Sequence, residues 1–157
     1  MPPAGGGAAP HMTTCLFQRG KRMKPGIKGH RELTVTEDLL ASRAGSGLVA
    51  VYATPMMIAA IEGTAAASIE TELAPGQTTV GTRVNVSHVA ATPPGMKVRI
   101  ETELAEVAPN GKILTFRVNA YDEAGLIGTG THERAIVDKA RFESKVQAKL
   151  GGGSPSR

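Results

Sequence analysis

Aromatic residues, cysteine and long apolar runs are scarce in this 157-residue chain, and each scarcity excludes a class of protein. Only 3% of the residues are aromatic and none is tryptophan, so the platforms that stack single-stranded bases are missing. A single cysteine, Cys15, excludes an internal disulfide framework and a cysteine-based zinc cage. No run approaches the ~20 apolar residues of a bilayer span, and the first residues lack the apolar region of a signal peptide. We therefore expect a cytoplasmic protein with no membrane partner.

The formal charge of +4 comes from the start of the chain and not from its main part. The first 24 residues hold no acid but four of the 18 basic residues, and the 14 that remain are balanced by 14 acids; the four are Arg19, Lys21, Arg22 and Lys24. A nucleic-acid-binding domain carries a basic face on its folded body. We predict no nucleic-acid partner.

The composition predicts one domain with two flanking segments. Residues 1–26 are rich in Gly, Pro and Ala without an apolar period, which predicts a disordered N-terminal extension. Residues 151–157, GGGSPSR, predict a disordered tail for the same reason. The intervening residues, 27–150, are long enough to bury a core as one domain.

The pattern within this domain is of one long helix and several antiparallel strands. Helical character runs from Pro55 to about Glu72, with Thr54 as the N-cap. Strand character is found in a first run at 27–37 and in four later ones at 78–90, 97–107, 112–122 and 126–137, and a last amphipathic helix is predicted at 138–150. Asn110-Gly111 is a strong hairpin turn. The pattern predicts an α+β fold.

Small residues along the helix would let its backbone approach a sheet closely; they are Ala59, Ala60, Gly63, Ala65, Ala66 and Ala67. The simplest packing lays this long central helix in the concave face of a curled antiparallel sheet, which is the hot-dog fold. A half-open sheet generally buries its edge against a second copy. We therefore expect a homodimer or a higher homo-oligomer.

Three polar residues lie in apolar surroundings, and each has two interpretations. Thr54 is an ordinary N-cap or a reactive hydroxyl near the positive end of a helix dipole. Glu62 is turned to solvent or kept inside for chemistry, because an ionised carboxylate is costly to bury without a partner. His88 shares a strand face with Val84 and Val86, as a structural histidine or as a proton-transfer group. Together the three could supply a polariser or nucleophile, a base and an acid.

Three segments of this chain resemble the fluoroacetyl-CoA thioesterase group of hot-dog proteins: YATPMMIAAIEGTA at 52–65, VGTRVNVSHVAATPPG at 80–95 and GTGTHERAIV at 128–137. The resemblance extends from about Lys24 to Lys149. It implies an acyl-CoA thioesterase that hydrolyses a short or small acyl-CoA to the free acid and CoA, without a cofactor.

The resemblance also implies the site residues. Thr54, Glu62 and His88 correspond to the catalytic set of that group. The backbone near Gly81 is implied to bind the thioester carbonyl oxygen, and Arg134 is a weaker candidate that could equally form a surface salt bridge. Thr54 and Glu62 are separated by ~12 Å of axial rise in a continuous helix, which favours a site assembled from two subunits.

The segment before Thr54 departs from this group. SRAGSGLVAVYA contains no phenylalanine, whereas the fluoroacetate-specialised relative has phenylalanines in a lid there. We therefore expect a broader or different acyl preference. A hot-dog hydratase or dehydratase and a non-catalytic acyl-CoA-binding module remain as alternative functions. No metal site is predicted, because His30, His88 and His132 lack ligand spacing.

Overall fold

The computed structural model describes residues 22–152, so the predictions for 1–21 and 153–157 lie outside the described residues. Residues 22–26, which we had assigned to the disordered extension, are packed on the domain. Met23 lies in the hydrophobic core and Gly26 donates a backbone hydrogen bond to Leu104. The predicted domain boundary at residue 27 therefore falls inside the packed part of the chain. Within the described range, no helix is both long and apolar enough to cross a membrane.

Residues 22–152 form five strands and three α-helices. The strands are β1 (Lys28–Thr34), β2 (Gln77–His88), β3 (Lys97–Val107), β4 (Ile113–Asp122) and β5 (Gly125–Asp138). The helices are α1 (Ala41–Ala44), α2 (Thr54–Ser68) and α3 (Lys139–Gln147), with 3-10 turns at Glu37–Leu39, Glu70–Glu72 and Ala148–Gly151. All the predicted elements are present, with ends that differ by a few residues.

The five strands form one antiparallel sheet in the order β1-β3-β4-β5-β2. Alternate residues of β3 and β4 point into the core, as the period of two predicts; those below 4% exposure are Val98, Ile100, Thr102, Leu104, Leu114, Phe116, Val118 and Ala120. Helix α2 packs against this face of the sheet through Met57, Ile61 and Ala65. One helix in one curled sheet is the α+β arrangement predicted from the sequence.

The small residues of the helix do allow a close approach to the sheet. A methyl group added to Gly29 of β1 would lie 3.0 Å from the Thr64 carbonyl oxygen and 3.0 Å from Ser68 Cβ. The backbones of α2 and β1 are therefore nearly in contact, and a glycine is needed at the crossing point.

Helix α2 differs from its prediction at both ends. Its N-cap is Ala53, whose carbonyl accepts hydrogen bonds from the Met56 and Met57 amides, and Thr54 is the first helical residue. The Thr54 side chain is therefore not a cap, and its hydroxyl is available to another partner. At the other end, the fully buried Ile69 leaves helical geometry at φ −114° and ψ 1°. Burial of this side chain ends the helix before the predicted Glu72.

Strand β2 lies at one edge of the sheet and pairs only with β5 among the described strands. Its register shifts between Gly81 and Arg83, so that Thr82 is an extra residue in a β-bulge. The edge and the bulge both bear on the site, because Gly81 and His88 belong to this strand.

Candidate active site

Thr54 and His88 form a hydrogen-bonded pair at the start of α2. Thr54 Oγ1 lies 2.7 Å from His88 Nδ1, which joins the first residue of the helix to the last residue of β2. A cleft of about 280 Å³ opens beside the pair, and its walls include Tyr52 and Val89. Burial raises the pKa of Tyr52 to about 12, so its hydroxyl stays protonated near neutral pH.

The other ring nitrogen of His88, Nε2, is buried and has no hydrogen-bond partner among residues 22–152. Burial lowers the pKa of His88 below its ordinary value, and a hydrogen-bonding interaction with the Ala90 backbone, too poorly aligned to count as a hydrogen bond by geometry, acts in the opposite direction. The ring is therefore mainly neutral at pH 7. An unpartnered buried imidazole nitrogen is costly to leave without a hydrogen bond, so the position suits a group that arrives from outside this chain.

Glu62 lies against Gly81 of β2, with His132 and Arg134 of β5 around it. The Glu62 Oε1 atom is 3.9 Å from His132 Nε2, and a methyl group added to Gly81 would approach that oxygen to 2.5 Å. The Glu62 side chain is 39% exposed, so it is neither fully turned to solvent nor fully buried, the two alternatives that the sequence left open. We call the group formed by Glu62, Gly81, His132 and Arg134 the Glu62 cluster.

Arg134 is buried within the Glu62 cluster, with a fixed guanidinium. Its Nε and Nη2 atoms donate to Thr79 Oγ1 and to the Thr79 carbonyl, both at 2.9 Å, and Nη1 lies 3.2 Å from His132 Nε2. Burial lowers the pKa of Arg134, while the nearby Glu62 carboxylate raises it. The alternative of an ordinary surface salt bridge is therefore wrong for Arg134.

The Thr54–His88 pair and the Glu62 cluster are separate within one chain. Glu62 lies beside Gly81, in the middle of β2, whereas His88 is the last residue of that strand. At the rise of an extended strand, Gly81 and His88 are ~20 Å apart. Thr54 and Glu62 are also ~12 Å apart along the continuous helix α2. The structure thus joins Thr54 with His88, and Glu62 with Gly81 and Arg134, but does not unite all three predicted catalytic residues in one chain.

His132 is a member of the Glu62 cluster that sequence reasoning missed. From the sequence, we considered His132 only as a metal ligand and rejected it in that role. The alternation of β5 places His132 and Arg134 on the same face of the strand, two residues apart. The alternation of β5 can be read from the sequence, but nothing in the sequence indicates that the strand face with His132 and Arg134 turns toward Glu62.

A long helix that lies in the concave face of an antiparallel sheet is the hot-dog fold, and the polar clusters of this chain lie at the edge strand of that sheet. Comparisons with solved structures support the assignment of the fold. A solved structure of the fluoroacetyl-CoA thioesterase superposes with a TM-score of 0.76 at 31% identity, over 85% of this chain and 98% of that one. A thioesterase superfamily member from Thermus thermophilus superposes at 0.74 and 31% identity, over 82% and 93% of the two chains. A hot-dog-like protein from Thermanaerovibrio acidaminovorans superposes at 0.74 with 22% identity, over 82% and 94%, which supports the fold alone.

The family model described as "fluoroacetyl-CoA-specific thioesterase" matches residues 35–140, and the chain belongs to this family. The fluoroacetyl-CoA thioesterase of Streptantibioticus cattleyicolor is 40% identical over 103 residues, which cover 66% of this chain and 73% of that protein. Membership confirms the resemblance, the hot-dog fold and the enzyme class predicted from the sequence, a thioester hydrolase.

Proposed function

We propose that this protein is an acyl-CoA thioesterase that hydrolyses a short or small acyl-CoA to the free acid and CoA. The observation that carries the proposal is the Thr54–His88 pair, whose buried Nε2 atom lacks a partner among the described residues. Family membership supports the reaction class. The catalytic set is Thr54, Glu62 and His88, with Gly81 and Arg134 in substrate binding.

Pairing of two copies through their β2 edges would bring the two half-sites together. If two β2 strands pair antiparallel about a point between Val84 and Asn85, Gly81 of one subunit lies opposite His88 of the partner subunit. Neighbouring strands are ~4.8 Å apart, so the Glu62 carboxylate beside Gly81 would come near the partner's imidazole. The same pairing would cover Val84, which is 39% exposed in the single chain. We propose a homodimer with two equivalent sites.

In this arrangement each group has one chemical task. Glu62 activates a water molecule or attacks the thioester carbonyl carbon itself. The carbonyl oxygen becomes negative and is stabilised by the Gly81 backbone N–H, while Arg134 adds positive charge nearby. In the water route, the proton that the attacking water loses passes by way of Glu62 to the neutral His88 ring, and His88 hands it to the CoA sulfur as the carbon–sulfur bond breaks. In the acyl-enzyme route, the departing thiolate takes its proton from solvent, and His88 accepts a proton from the water that then hydrolyses the acyl-enzyme. Thr54 holds the ring through the 2.7 Å contact with Nδ1.

The acyl preference is proposed from the segment between α1 and α2. The residues before Thr54 include no phenylalanine, and Leu48 and Val49 are 98% and 64% exposed there. An aliphatic loop lacks the ring edges and faces with which an aromatic lid discriminates acyl groups. We propose that fluoroacetyl-CoA has no large advantage over acetyl-CoA.

The experiment measures free thiol released from a panel of saturated acyl-CoA substrates and fluoroacetyl-CoA. We expect hydrolysis by the native protein and a fall in kcat of ~10²-fold or more for Thr54→Ala, Glu62→Ala and His88→Ala, because each removes a proton-transfer or polarising group. Glu70→Ala removes an exposed carboxylate eight residues from Glu62 and is the matched control.

Two results would contradict the proposed thioesterase activity, and a third would contradict only the proposed acyl preference. Dehydration or hydration of the acyl chain without thiol release would indicate the hydratase or dehydratase. Ligand binding that survives Glu62→Ala, with no turnover by either protein, would indicate a binding module. A large advantage for fluoroacetyl-CoA would refute the proposed acyl preference alone.

A further inference from the structure

His132 is a buried histidine for which the proposed chemistry has no use. It is 1% exposed on β5, and its ring stacks on Phe116 with centroids 6.4 Å apart and planes at 29°. A histidine that served only to fill the core would be replaceable by an apolar residue of similar size. The hydrogen bonds of both ring nitrogens indicate a more specific role.

These hydrogen bonds determine the tautomer of His132. Its Nδ1 atom is 2.8 Å from the Arg83 carbonyl oxygen, which can only accept, so Nδ1 carries the hydrogen. Nε2 then has a free lone pair, and Arg134 Nη1 donates to it at 3.2 Å. Burial lowers the pKa of His132, as does the adjacent Arg134 cation, while the Arg83 carbonyl and the carboxylates of Glu62 and Glu133 raise it. The net shift is downward, which agrees with a neutral ring.

The β-bulge in β2 supplies the acceptor for this tautomer. Arg83 follows the extra residue Thr82, at the point where the β2–β5 register shifts. A bulge disrupts the ladder locally and leaves backbone groups unpaired, so the Arg83 carbonyl is available to a side chain of the neighbouring strand. The backbone irregularity and the orientation of the ring are therefore linked.

We propose that His132 is a positioning residue that holds the Arg134 guanidinium away from a closed ion pair with Glu62. Its Nε2 atom is near both groups, 3.2 Å from Arg134 Nη1 and 3.9 Å from Glu62 Oε1. Within residues 22–152, no ion pair of 4.0 Å or less joins Arg134 to Glu62. This inference rests on the proposed function, in which Glu62 acts as base or nucleophile.

The physical reason is the basicity of the carboxylate. A guanidinium in direct bidentate contact stabilises an ionised carboxylate and makes it a weaker base and nucleophile. With Nη1 bound to His132, and Nε and Nη2 bound to Thr79, the guanidinium has three fixed contacts. The positive charge then stays near the Gly81 backbone, where negative charge develops in the reaction, without neutralising Glu62.

The test compares two amide replacements of His132. His132→Asn keeps a donor near the Arg83 carbonyl but has no group at the Nε2 position. His132→Gln can place an amide oxygen near that position and accept from Arg134. We expect kcat to fall on the order of 10²-fold in the Asn variant with KM little changed, and His132→Gln to recover most of it. Thermal unfolding of both variants identifies any loss that is due to folding alone.

A double-mutant cycle with Arg134→Gln tests whether His132 acts through Arg134. Combining His132→Asn with Arg134→Gln should cost no more in kcat than Arg134→Gln alone. The proposal is overturned if the two losses multiply, if His132→Asn is as active as the native protein, or if the Gln variant is folded but as impaired as the Asn variant.

A readout without turnover separates this inference from the proposed function. In ¹H–¹⁵N spectra, the Arg134 Nε–H should exchange slowly with solvent in the native protein, because it donates to Thr79 Oγ1 while the guanidinium is held in place. It should exchange faster in His132→Asn, in which the guanidinium moves toward Glu62 and leaves Thr79. If the native protein releases no thiol but this difference is seen, the proposed function fails and the positioning role stands. If the exchange rates are equal, the positioning role is wrong whatever the activity.

Discussion

At the scale of a single residue, Gly81 and Glu62 determine how tightly the candidate site is built. Glu62 looks out of place in its apolar segment, and its 39% exposure follows from a position against the edge strand. The absence of a side chain at Gly81 provides the space for the carboxylate, because any Cβ would approach Oε1 to 2.5 Å. The location of Glu62 therefore depends on a glycine 19 positions away in the sequence.

Gly81→Ala should displace the Glu62 carboxylate and lower kcat/KM by ~10²-fold, because a misplacement of about 1 Å in a catalytic group has effects of that order. The backbone at Gly81 is not in the left-handed region, so the variant should fold with little loss of stability. Steady-state kinetics and thermal unfolding measure the two effects.

Gly63→Ala is the control for this substitution. It adds the same methyl group next to Glu62 in the chain, but there the nearest atom is the flexible Arg31 Nη1 at 3.5 Å. Its activity should match that of the native protein, and its helix should be slightly stabilised. Equal activity of the Gly81 and Gly63 variants would show that the contact with Glu62 is unimportant.

At the scale of elements, the strands and their turns follow the sequence closely, whereas the end of a helix and a bulge do not. Alternation predicted the inward face of β4. The turn between β3 and β4 is closed by the Gly111 N–H, which donates to the Ala108 carbonyl, with Pro109 and Asn110 at its centre and Gly111 at φ 73°. The premature end of α2 depends on where Ile69 can be buried. The bulge at Thr82 depends on how β2 pairs with β5. Both are contacts with distant parts of the chain, which periodicity does not encode.

Gly130→Ala should destabilise the β2–β5 pair. A methyl group added there would overlap the Asn85 carbonyl oxygen and lie 2.8 Å from Val86 Cα, and these backbone atoms cannot rotate away. We expect a loss of about 1–3 kcal/mol in the free energy of unfolding, the usual cost of overpacking. Urea denaturation measures it.

Gly47→Ala is the matched control in the described chain, since its nearest atom would be Ala41 Cβ at 3.7 Å. We expect a change within ~0.5 kcal/mol, as for other surface substitutions. If Gly130→Ala were as stable as this control, the close approach of β2 to β5 would not hold in solution.

At the scale of the whole molecule, the edge of β2, which no other strand of residues 22–152 covers, connects the fold to the proposed site. Edge strands that remain open are sites of association. The two polar groups lie at different points along this edge, and a two-fold axis between them would bring each group of one subunit next to its complement in the partner subunit. Exposed Val89, which directly follows β2, would then lie near the contact between subunits.

Mixing two inactive variants tests this arrangement. Thr54→Ala and Glu62→Ala subunits, unfolded together and refolded at equal concentration, should form mixed dimers in which one of the two sites is intact. About a quarter of native activity should return, because half the dimers are mixed and each has one intact site. Thiol release measures the activity and light scattering confirms the dimer mass. No recovery from mixed dimers would show that each site lies within one subunit.

The sequence by itself determined the α+β class, the succession of the helix and strands along the chain and the identity of the polar residues, because these depend on local period, turn chemistry and residue type. It also indicated that Thr54 and Glu62 are too far apart on one helix to meet. The tertiary structure alone decided that Thr54 pairs with His88, that Arg134 is buried on Thr79, and that His132 Nε2 is near both Arg134 and Glu62. These contacts join residues from different elements, and their distances are set by the curvature and register of the sheet, which no local pattern of residues specifies.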